Sequence, residues 1–567
     1  MPTGELAFHA TRVAGIWRRY ARPKALGTIA AVVAAAVLVA TQFPAGGNDD
    51  SHITYWAAHA LSERGRIENY NGLAVEQSSS LSLVLLLGFV EWVTGFATPA
   101  LGFASGLCFG GLTLVLVALL SPGTSKPAAF WPPVLLGTWL PFLYWSTSGM
   151  ETTLVTFAGC ATVFAAGRIV DEPTPPRRSL VAVLGLAAAT FVLARPETPI
   201  ELVCAFALCV PTLFVLSAKK ERDARRTRVR RALVLLGSAL ALVLVVGLVR
   251  LHFFGLVVPN PAAAKSGAFA LGSGADYLGS GLVLGGPGLA VLSLFGVVAV
   301  LATARERSVA AAAVLLVGWG ASALAFVVAS GGDWMPAARL LVPLGPALAV
   351  LAGEALGALA RLTPVGAHAA GAVVVSLNVA SALSFGDSGA NGSYRGAAAH
   401  EGRKRLRAPD VANFSFSELA NRAHRRDARL LGPLLTLMRR LNPSEQAPIT
   451  LMSGQAGMVP YYVFREFYGR ARFIDLYALT TPEILPCIPA RHQKRKLQGV
   501  HISPGYVIDH ADEMDAPCGA ERPHVVFSTG RCPSYLDERG YACFYEGPRG
   551  MDAFVAVDRE TLKRSRK

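Results

Sequence analysis

The sequence predicts a polytopic α-helical membrane protein that carries a soluble α/β domain at its C-terminal end. Of its 567 residues 52% are hydrophobic and only 16% are charged, with a mean hydropathy of +0.42. The apolar residues fall in long runs, several of them near or above the roughly 18 residues that a membrane span needs. From residue 386 these runs stop and a mixed sequence with short strand-like stretches begins.

The apolar runs predict eleven to thirteen spans. Examples lie at 28–43, 232–249 and 309–329. The first run is followed by no clear cleavage site, so we expect it to be retained as a helix rather than removed as a signal peptide. The run at 131–146 is short and begins with two prolines, which favours a half-helix that turns back inside the protein.

Basic residues predict the orientation and the domain boundaries. Lys and Arg accumulate in the first 24 residues and in the loop 219–231, and cytoplasmic loops are typically enriched in both. We therefore expect residues 1–27 to be cytoplasmic and 28–385 to form the transmembrane domain. Its first external loop, 44–78, and the tail, 386–567, are expected on the outer face of a bacterial plasma membrane.

The tail is predicted to be an α/β domain with disulfides. Strand-like stretches occur in "PITLMSG", "ARFIDLYAL" and "HVVFST", between helical pieces. Four cysteines in an oxidising compartment allow three connectivities, with unpaired structural thiols as the alternative. The four cysteines are Cys487, Cys518, Cys532 and Cys543.

The basic balance of the chain does not indicate nucleic-acid binding. Its formal net charge is +15 and its isoelectric point is about 9.6. Most of the excess comes from the predicted cytoplasmic loops and from tail arginines, and no DNA-binding motif is present. We expect contacts with anionic lipid of the bilayer instead.

Ionisable residues at the ends of the apolar runs are the candidate site. A charge in mid-span costs about 2.5–3.5 kcal/mol, so such residues are expected in cavities, in pairs or at span ends. Each also has a structural reading, such as a helix N-cap for the Asp49-Asp50 pair, a snorkelling anchor for Arg195 or a turn for "GGDW". The set consists of Asp49, Asp50, Glu76, Glu151, Arg195, Glu197, Lys265, Asp333 and Arg339, all at the predicted outer face.

Taken in order, the sequence blocks around these residues resemble a known class of enzymes. The blocks are "NDDSHITYWAAHALSERGRIENYNGLAVEQSSSL", "YWSTSGMETTL", "ARPET", "FFGLVVPNPAAAKSG" and "SGGDWMPAARLLVPLGPAL". They are similar to those of GT-C membrane glycosyltransferases, and within that class to the terminal β-(1→2)-arabinofuranosyltransferases of mycobacteria and corynebacteria. The resemblance covers 28 to about 385 and is thinner in the tail. The stretches "VEQSSSL" and "NPAAAK" depart from the family pattern, so the sugar stays open.

The resemblance implies transfer of a sugar, arabinofuranose first, from a polyprenyl-phosphate donor to a cell-envelope glycan acceptor. Asp50 or Asp49 is the expected base, and inversion at the anomeric carbon follows. We favour Asp50, with Asp49 holding geometry, although the sequence does not show which of the two faces the sugar. Lys265, Arg195 and Arg339 are the candidate cations for the donor phosphate. Candidate substrate-binding residues are Asp333, Trp334, Glu76, Glu151, Glu197, Asn260 and His52. The helix expected at about 51–64 would lie in the membrane interface, with Tyr55 and Trp56 in the headgroup region.

We expect no cofactor, no obligatory divalent metal and a monomer. Two rival functions remain open at this point: a lipid-linked sugar transporter or flippase, and a non-catalytic accessory protein of the cell envelope. A transporter would favour an internal repeat and ionisable residues at the membrane midplane, and the sequence has neither.

Overall fold

The computed structural model describes most of the chain in detail. The described residues are 3–42, 49–121, 125–172, 174–216, 222–265, 271–284, 286–303, 310–333, 335, 337–386, 430–496, 499–518, 521–529, 531–546 and 553–564. Within helix 3–42, side chains are described for residues 21–40. The predicted substrate residue Trp334 lies outside the described residues.

Helices dominate the first two thirds of the chain. Numbered along the sequence they are α1 (Thr3–Gln42), α2 (Ser51–Arg64), α3 (Leu81–Thr94), α4 (Thr98–Leu120), α5 (Lys126–Gly137), α6 (Leu140–Thr147), α7 (Thr152–Asp171), α8 (Arg178–Ala194), α9 (Thr198–Leu216), α10 (Arg222–Phe254), α11 (Asn260–Lys265), α12 (Leu271–Leu284), α13 (Pro287–Thr303), α14 (Ala311–Ser330), α15 (Gly345–Leu362) and α16 (Pro364–Gly386). A 3-10 turn, Arg339–Leu344, leads into α15.

Eight of the described helices are long and apolar enough to cross a membrane, or nine if the bent pair of α12 and α13 is one span. The helices α3 and α8 are also apolar but shorter, with 14 and 17 residues, so the described residues give eight or nine of the eleven to thirteen predicted spans. The run at 131–146 forms no single spanning helix, in line with its prolines. It is divided between α5 and α6, which are only 12 and 8 residues long.

Packing groups the chain into two compact units. Unit 1 comprises 1–45, 104–245 and 269–417, and unit 2 comprises 46–103, 246–268 and 418–567. The sequence places one boundary at 386, whereas packing joins the first loop and the segment around α11 to the tail. Loop residues far apart in sequence therefore share one folded body with the soluble domain.

Unit 1 is held together by close helix packing around large buried aromatic side chains. Trp139, Trp145 and Trp319 are each at most 2% exposed. At Gly159 of α7, a Cβ would overlap the ring of Trp319 on α14, so only glycine permits this approach. Small residues that let helices approach closely are a common basis of packing between membrane helices.

The tail is an α/β domain, as predicted. Its strands are β1 (Ile449–Ser453), β2 (Ala471–Asp475), β3 (Gln493–Lys496), β4 (Gly499–Ile502), β5 (Val525–Thr529), β6 (Tyr541–Glu546) and β7 (Ala553–Asp558). Its helices are α17 (430–441), α18 (Met458–Phe467), α19 (Pro504–Asp509), α20 (Ala511–Cys518), α21 (Ser534–Glu538) and α22 (Arg559–Arg564). Short 3-10 turns cover Pro482–Cys487 and Ala490–His492.

The main sheet of the tail has the strand order β2-β1-β5-β7-β6. The strand β1 is parallel to both neighbours, while β7 is antiparallel to β5 and β6. All five residues of β1 are buried, as is usual for a central parallel strand. The pair β3 and β4 forms a separate antiparallel ribbon.

Two disulfides cross-link the tail, and they select one of the three connectivities that the sequence allows. Cys487 pairs with Cys518 and Cys532 pairs with Cys543, each with a Cα–Cα distance of 6.4 Å. Both distances lie in the usual range for a disulfide.

The helix predicted at 51–64 is present as α2, but its predicted environment is wrong. Tyr55 and Trp56 are fully buried rather than placed at a membrane interface. Their rings pack against Tyr461, Phe464 and Tyr468 in and just after the tail helix α18. Aromatic side chains suited to lipid headgroups suit a protein interior equally well, so the sequence could not separate the two environments.

Candidate active-site residues

In unit 2, the two adjacent aspartates have different surroundings. Asp49 and Asp50 are both half-buried at the beginning of α2, where their carbonyls accept the N–H groups of His52 and Ile53. The Asp49 carboxylate accepts the backbone N–H of Met458, at 2.6 Å, from the first turn of α18. Asp50 stands at the N-cap position of α2, yet its side chain makes no capping hydrogen bond.

The structural reading of this pair as a cap is therefore only half right. One carboxylate caps a helix, but that helix is α18 of the tail and not the one that follows the pair. A carboxylate at a helix N-terminus is stabilised by the N–H groups and the helix dipole.

His52, the next predicted substrate residue, belongs to an aromatic cluster. It is 3% exposed, and its ring lies edge-on to Tyr55 and Tyr461 and tilted toward Tyr462. The ring therefore packs between α2 and α18.

The predicted residue Glu76 forms a buried ion pair that the sequence did not predict. Its partner is Arg250 of α10, with Arg250 Nε 3.1 Å from Glu76 Oε2 and both side chains at most 3% exposed. Burial raises the pKa of the Glu76 carboxyl above its ordinary value, and the charge and hydrogen bonds of Arg250 act in the opposite direction.

Asn260 ties the segment around α11 to the first loop and to the tail. Its backbone N–H donates to the Glu76 carbonyl at 3.1 Å. Its side-chain amide donates to the carbonyls of Ala478 and Leu479, at 3.0 and 2.6 Å. Lys265, a predicted phosphate ligand, is the half-buried last residue of α11.

The tail turn that receives Asn260 is rigidly built. Ala478 is buried with φ of +53°, a left-handed backbone conformation that is unusual for alanine. The fully buried carboxylate of Asp475 accepts the backbone N–H groups of Tyr477, Leu479 and Thr480. This network fixes the two carbonyls in position.

In unit 1, Arg195 joins two of the predicted carboxylates. Its Nη1 lies 3.3 Å from Glu151 Oε1, and its Nε donates to Glu197. All three side chains are at most 8% exposed. The negative charge of Asp333 also acts on Arg195.

The second predicted arginine of unit 1 is paired in the same way. Arg339 Nη2 lies 2.6 Å from Asp333 Oδ2, and the guanidinium lies over the ring of Trp145 with 5.7 Å to its centroid. Nε of Arg339 and Oε2 of Glu151 are buried without a hydrogen-bond partner among the described residues. Orphaned buried donors and acceptors of this kind are rare in native proteins and are often satisfied by a bound ligand or water.

Across the described part of the chain, no group of three or more His, Cys, Asp or Glu side chains could hold a metal ion.

The comparisons with known proteins identify the fold. No family model and no curated protein sequence matches the chain. Among solved structures it is similar to ArnT from Cupriavidus metallidurans in the apo state, with a TM-score of 0.53, 15% identity, and 95% of this chain and 98% of that chain covered. The same enzyme bound to undecaprenyl phosphate gives a TM-score of 0.52, 12% identity, and coverages of 94% and 97%.

A third similar structure is the archaeal oligosaccharyltransferase AglB from Archaeoglobus fulgidus, in complex with an inhibitory peptide and a dolichol-phosphate. Its TM-score is 0.50 at 12% identity, with 90% of this chain and 70% of that chain covered. The chain has the GT-C fold. At these identities the likeness shows the fold and leaves activity and substrate to be argued from the residues.

Three polar groups of the candidate site region were not predicted from the sequence. Arg250 and Glu201 are charged residues inside apolar runs, a signal that could have revealed both. Glu201 is 4% exposed and accepts the indole N–H of Trp319 at 3.0 Å. The third is the backbone N–H of Met458, for which no sequence signal exists.

Proposed function

We propose that the protein is an inverting glycosyltransferase that moves arabinofuranose from a polyprenyl-phosphate donor to a cell-envelope glycan on the outer face of the plasma membrane. The observation that carries the proposal is the anchoring of Asp49 directly before Asp50. The Asp49 carboxylate accepts the N–H of Met458, and Asp50 lies half-buried beside it at the start of α2. A half-buried carboxylate beside an anchored neighbour is suited to be a general base.

In the proposed reaction, the acceptor hydroxyl gives its proton to Asp50 as its oxygen attacks the anomeric carbon. The bond between that carbon and the donor phosphate breaks, and its electron pair leaves with the polyprenyl phosphate. Attack opposite the departing phosphate inverts the anomeric centre, as in one half of an inverting glycosidase. A phosphate leaves readily, so no protonating acid is needed.

The solved structures with the same fold favour a lipid-linked donor. ArnT binds undecaprenyl phosphate and AglB binds a dolichol-phosphate. Outside the plasma membrane a sugar carried on such a lipid is the available donor, which excludes a nucleotide-sugar mechanism in this proposal.

Phosphate binding is proposed for Lys265, Arg195 and Arg339. The two arginines already bond carboxylates, but a guanidinium carries five N–H donors and can serve two partners. The buried Nε of Arg339 has no hydrogen-bond partner among the described residues, which supports this role. Glu151, Glu197 and Asp333 would hold the guanidinium groups and meet sugar hydroxyls.

The test is sugar transfer by purified protein in nanodiscs, with polyprenyl-phosphate arabinofuranose and a short arabinan acceptor. Asp50→Asn keeps size and removes the base, so we expect kcat to fall by about 10²–10⁴-fold. Asp512→Asn, on an exposed surface of α20, is the matched control and should keep full activity.

The outcomes separate the rival functions. Full transfer by Asp50→Asn would contradict the base assignment, and transfer of another sugar would change only the donor. Transport of the lipid-linked sugar across the bilayer without product would favour the flippase, and binding of glycan without either would favour the accessory protein. A phosphatase fused to the C-terminus tests the outer-face location, since it is active only outside the cytoplasm.

A further inference from the structure

The strand-to-helix turn between β1 and α18 of the tail has the geometry of an anion-binding site. In sheets of parallel strands, ligands bind beyond the carboxyl ends of the strands where the chain order reverses. Here β1 connects through α18 to β2 on one side, while β5 lies on the other side. The turn "GQAG", 454–457, follows β1 directly and ends at the N-terminus of α18.

In this structure the anion at that site is a carboxylate of the same chain. The side chain of Asp49 accepts the Met458 N–H at 2.6 Å, at the first residue of the ten-residue helix α18. Helix N-termini bind phosphates and carboxylates through free N–H groups and the positive end of the dipole. A residue of the first loop thus occupies the place that a ligand takes in dinucleotide-binding domains.

Gly457 makes this approach possible. It is buried, and a Cβ on it would overlap the carbonyl of Asp49 and lie 2.6 Å from the Asp49 carboxylate. Every other residue type would push the loop away from the helix.

The first loop is also anchored on the tail by hydrogen bonds of Tyr70, Asn71 and Asn69. The hydroxyl of Tyr70 donates to the Ala456 carbonyl at 2.8 Å, beside the same turn. The amide of Asn71 exchanges two hydrogen bonds, of 2.7 and 2.9 Å, with the backbone of Phe473 on the edge strand β2. The side chain of Asn69 donates to the Thr480 carbonyl at 2.9 Å.

We propose that the β1–α18 turn is an internal binding site for the first loop, and that it positions Asp50 by holding Asp49. The tail is then a part of the catalytic centre and not a separate glycan-binding module. Its Gly457 and the Met458 N–H are positioning groups, since they act on the reaction only through Asp49. The catalytic half of this inference rests on the proposed function, whereas the binding of Asp49 by the turn does not.

The experiment compares two variants of Met458 in the full-length protein in nanodiscs. Met458→Pro removes the N–H, and proline is well tolerated at the first position of a helix. Met458→Leu keeps the N–H and the volume of the buried side chain, so it is the matched control. Gly457→Ala provides an independent disruption, and Gly432→Ala, with open space around its Cβ, is its control.

The first readout is hydrogen exchange of peptides covering 49–64 and 458–467, which does not depend on activity. We expect Met458→Pro and Gly457→Ala to raise exchange at the start of α2 by about tenfold or more, and the two controls to match the wild type. Unchanged exchange in both disruptive variants would overturn the internal binding site.

The second readout is transfer from polyprenyl-phosphate arabinofuranose. A misplacement of about 1 Å costs on the order of 100-fold in rate, so kcat should fall by about 10- to 100-fold with the donor KM unchanged. Raised exchange with wild-type kcat would overturn the positioning role. If the wild type transfers no sugar, the proposed function fails, and the exchange data alone still decide whether the turn binds Asp49.

Discussion

The guanidinium of Arg195 in unit 1 pairs with two buried carboxylates, and its contribution to stability can be tested by replacing the arginine. Arg195→Gln leaves Glu151, 1% exposed, and Glu197, 6% exposed, without their cation. Breaking a buried ion pair by removing one partner costs about 3–5 kcal/mol, because the remaining charge stays desolvated. With two carboxylates orphaned, we place the expected loss at the upper end of that range.

The assay is the thermal unfolding midpoint of the purified protein in nanodiscs, followed by tryptophan fluorescence. For a unit of roughly 340 residues, an unfolding entropy of about 2.1 cal/mol/K per residue means that 1 kcal/mol shifts the midpoint by about 1.4 °C, so about 5 kcal/mol corresponds to about 7 °C. Arg361→Gln is the matched control, because this arginine is exposed at the end of α15. It should leave the midpoint within about 2 °C of the wild type, in line with the ±0.5 kcal/mol typical of surface substitutions.

The triple variant Arg195→Gln, Glu151→Gln, Glu197→Gln separates charge from packing. It shares the shortening at position 195 with the single variant, keeps the size of both glutamate side chains and removes all three charges, so it should recover most of the stability lost through the orphaned carboxylates. A wild-type midpoint for Arg195→Gln, or a triple variant less stable than the single one, would refute the electrostatic reasoning.

Three further predictions concern unit 2. Asn260→Ala leaves the carbonyls of Ala478 and Leu479 without their donor, so it should destabilise unit 2 by about 2–5 kcal/mol. The measurement is hydrogen exchange over 475–481, which should become faster. Asn260→Asp also lacks the N–H donors, so it should not restore the slow exchange of the wild type. Burial raises the pKa of the Glu483 carboxyl. The folded state then binds more protons than the unfolded one above the ordinary glutamate pKa of about 4.3, so wild-type stability falls as the pH rises. The stability of Glu483→Gln relative to the wild type should therefore grow from pH 5 to pH 8, and a constant difference in unfolding midpoint would contradict this. Finally, the Cys487–Cys518 disulfide closes a separation of 31 residues and the Cys532–Cys543 disulfide one of 11. Removing the first should lower the free energy of unfolding of the tail by about 4 kcal/mol and removing the second by about 3 kcal/mol, as measured by denaturant unfolding. A larger loss for the second disulfide would contradict the loop-closure argument.

Much of the fold was predictable because it depends on local patterns. Long apolar runs can be stable only as membrane helices or buried ones, and they predicted α1, α14 and α15 directly. The strands β1, β2 and β5 were predictable because each is a short apolar stretch between turn residues. The start of α2 at Ser51 followed from the aspartates in front of it.

The environment of each residue was not predictable in the same way. Tyr55 and Trp56 fit a lipid interface and a protein core equally well, and the choice depends on the helix α18, about 400 positions further along the chain. The same holds for Glu76, whose cation is Arg250, since an ion pair across 174 residues leaves no periodic signal.

The sequence by itself determined the class of protein, the helices and tail strands, and the residue types of the candidate site, because these follow from hydropathy, short-range periodicity and charge. Only the tertiary structure decided which group binds the Asp49 carboxylate. Neighbouring side chains point in different directions, and Asp49 is held by a backbone N–H that every residue except proline carries. A group common to nearly all residues cannot be recognised in a sequence, so its role as a binding partner becomes visible only when the chain is folded.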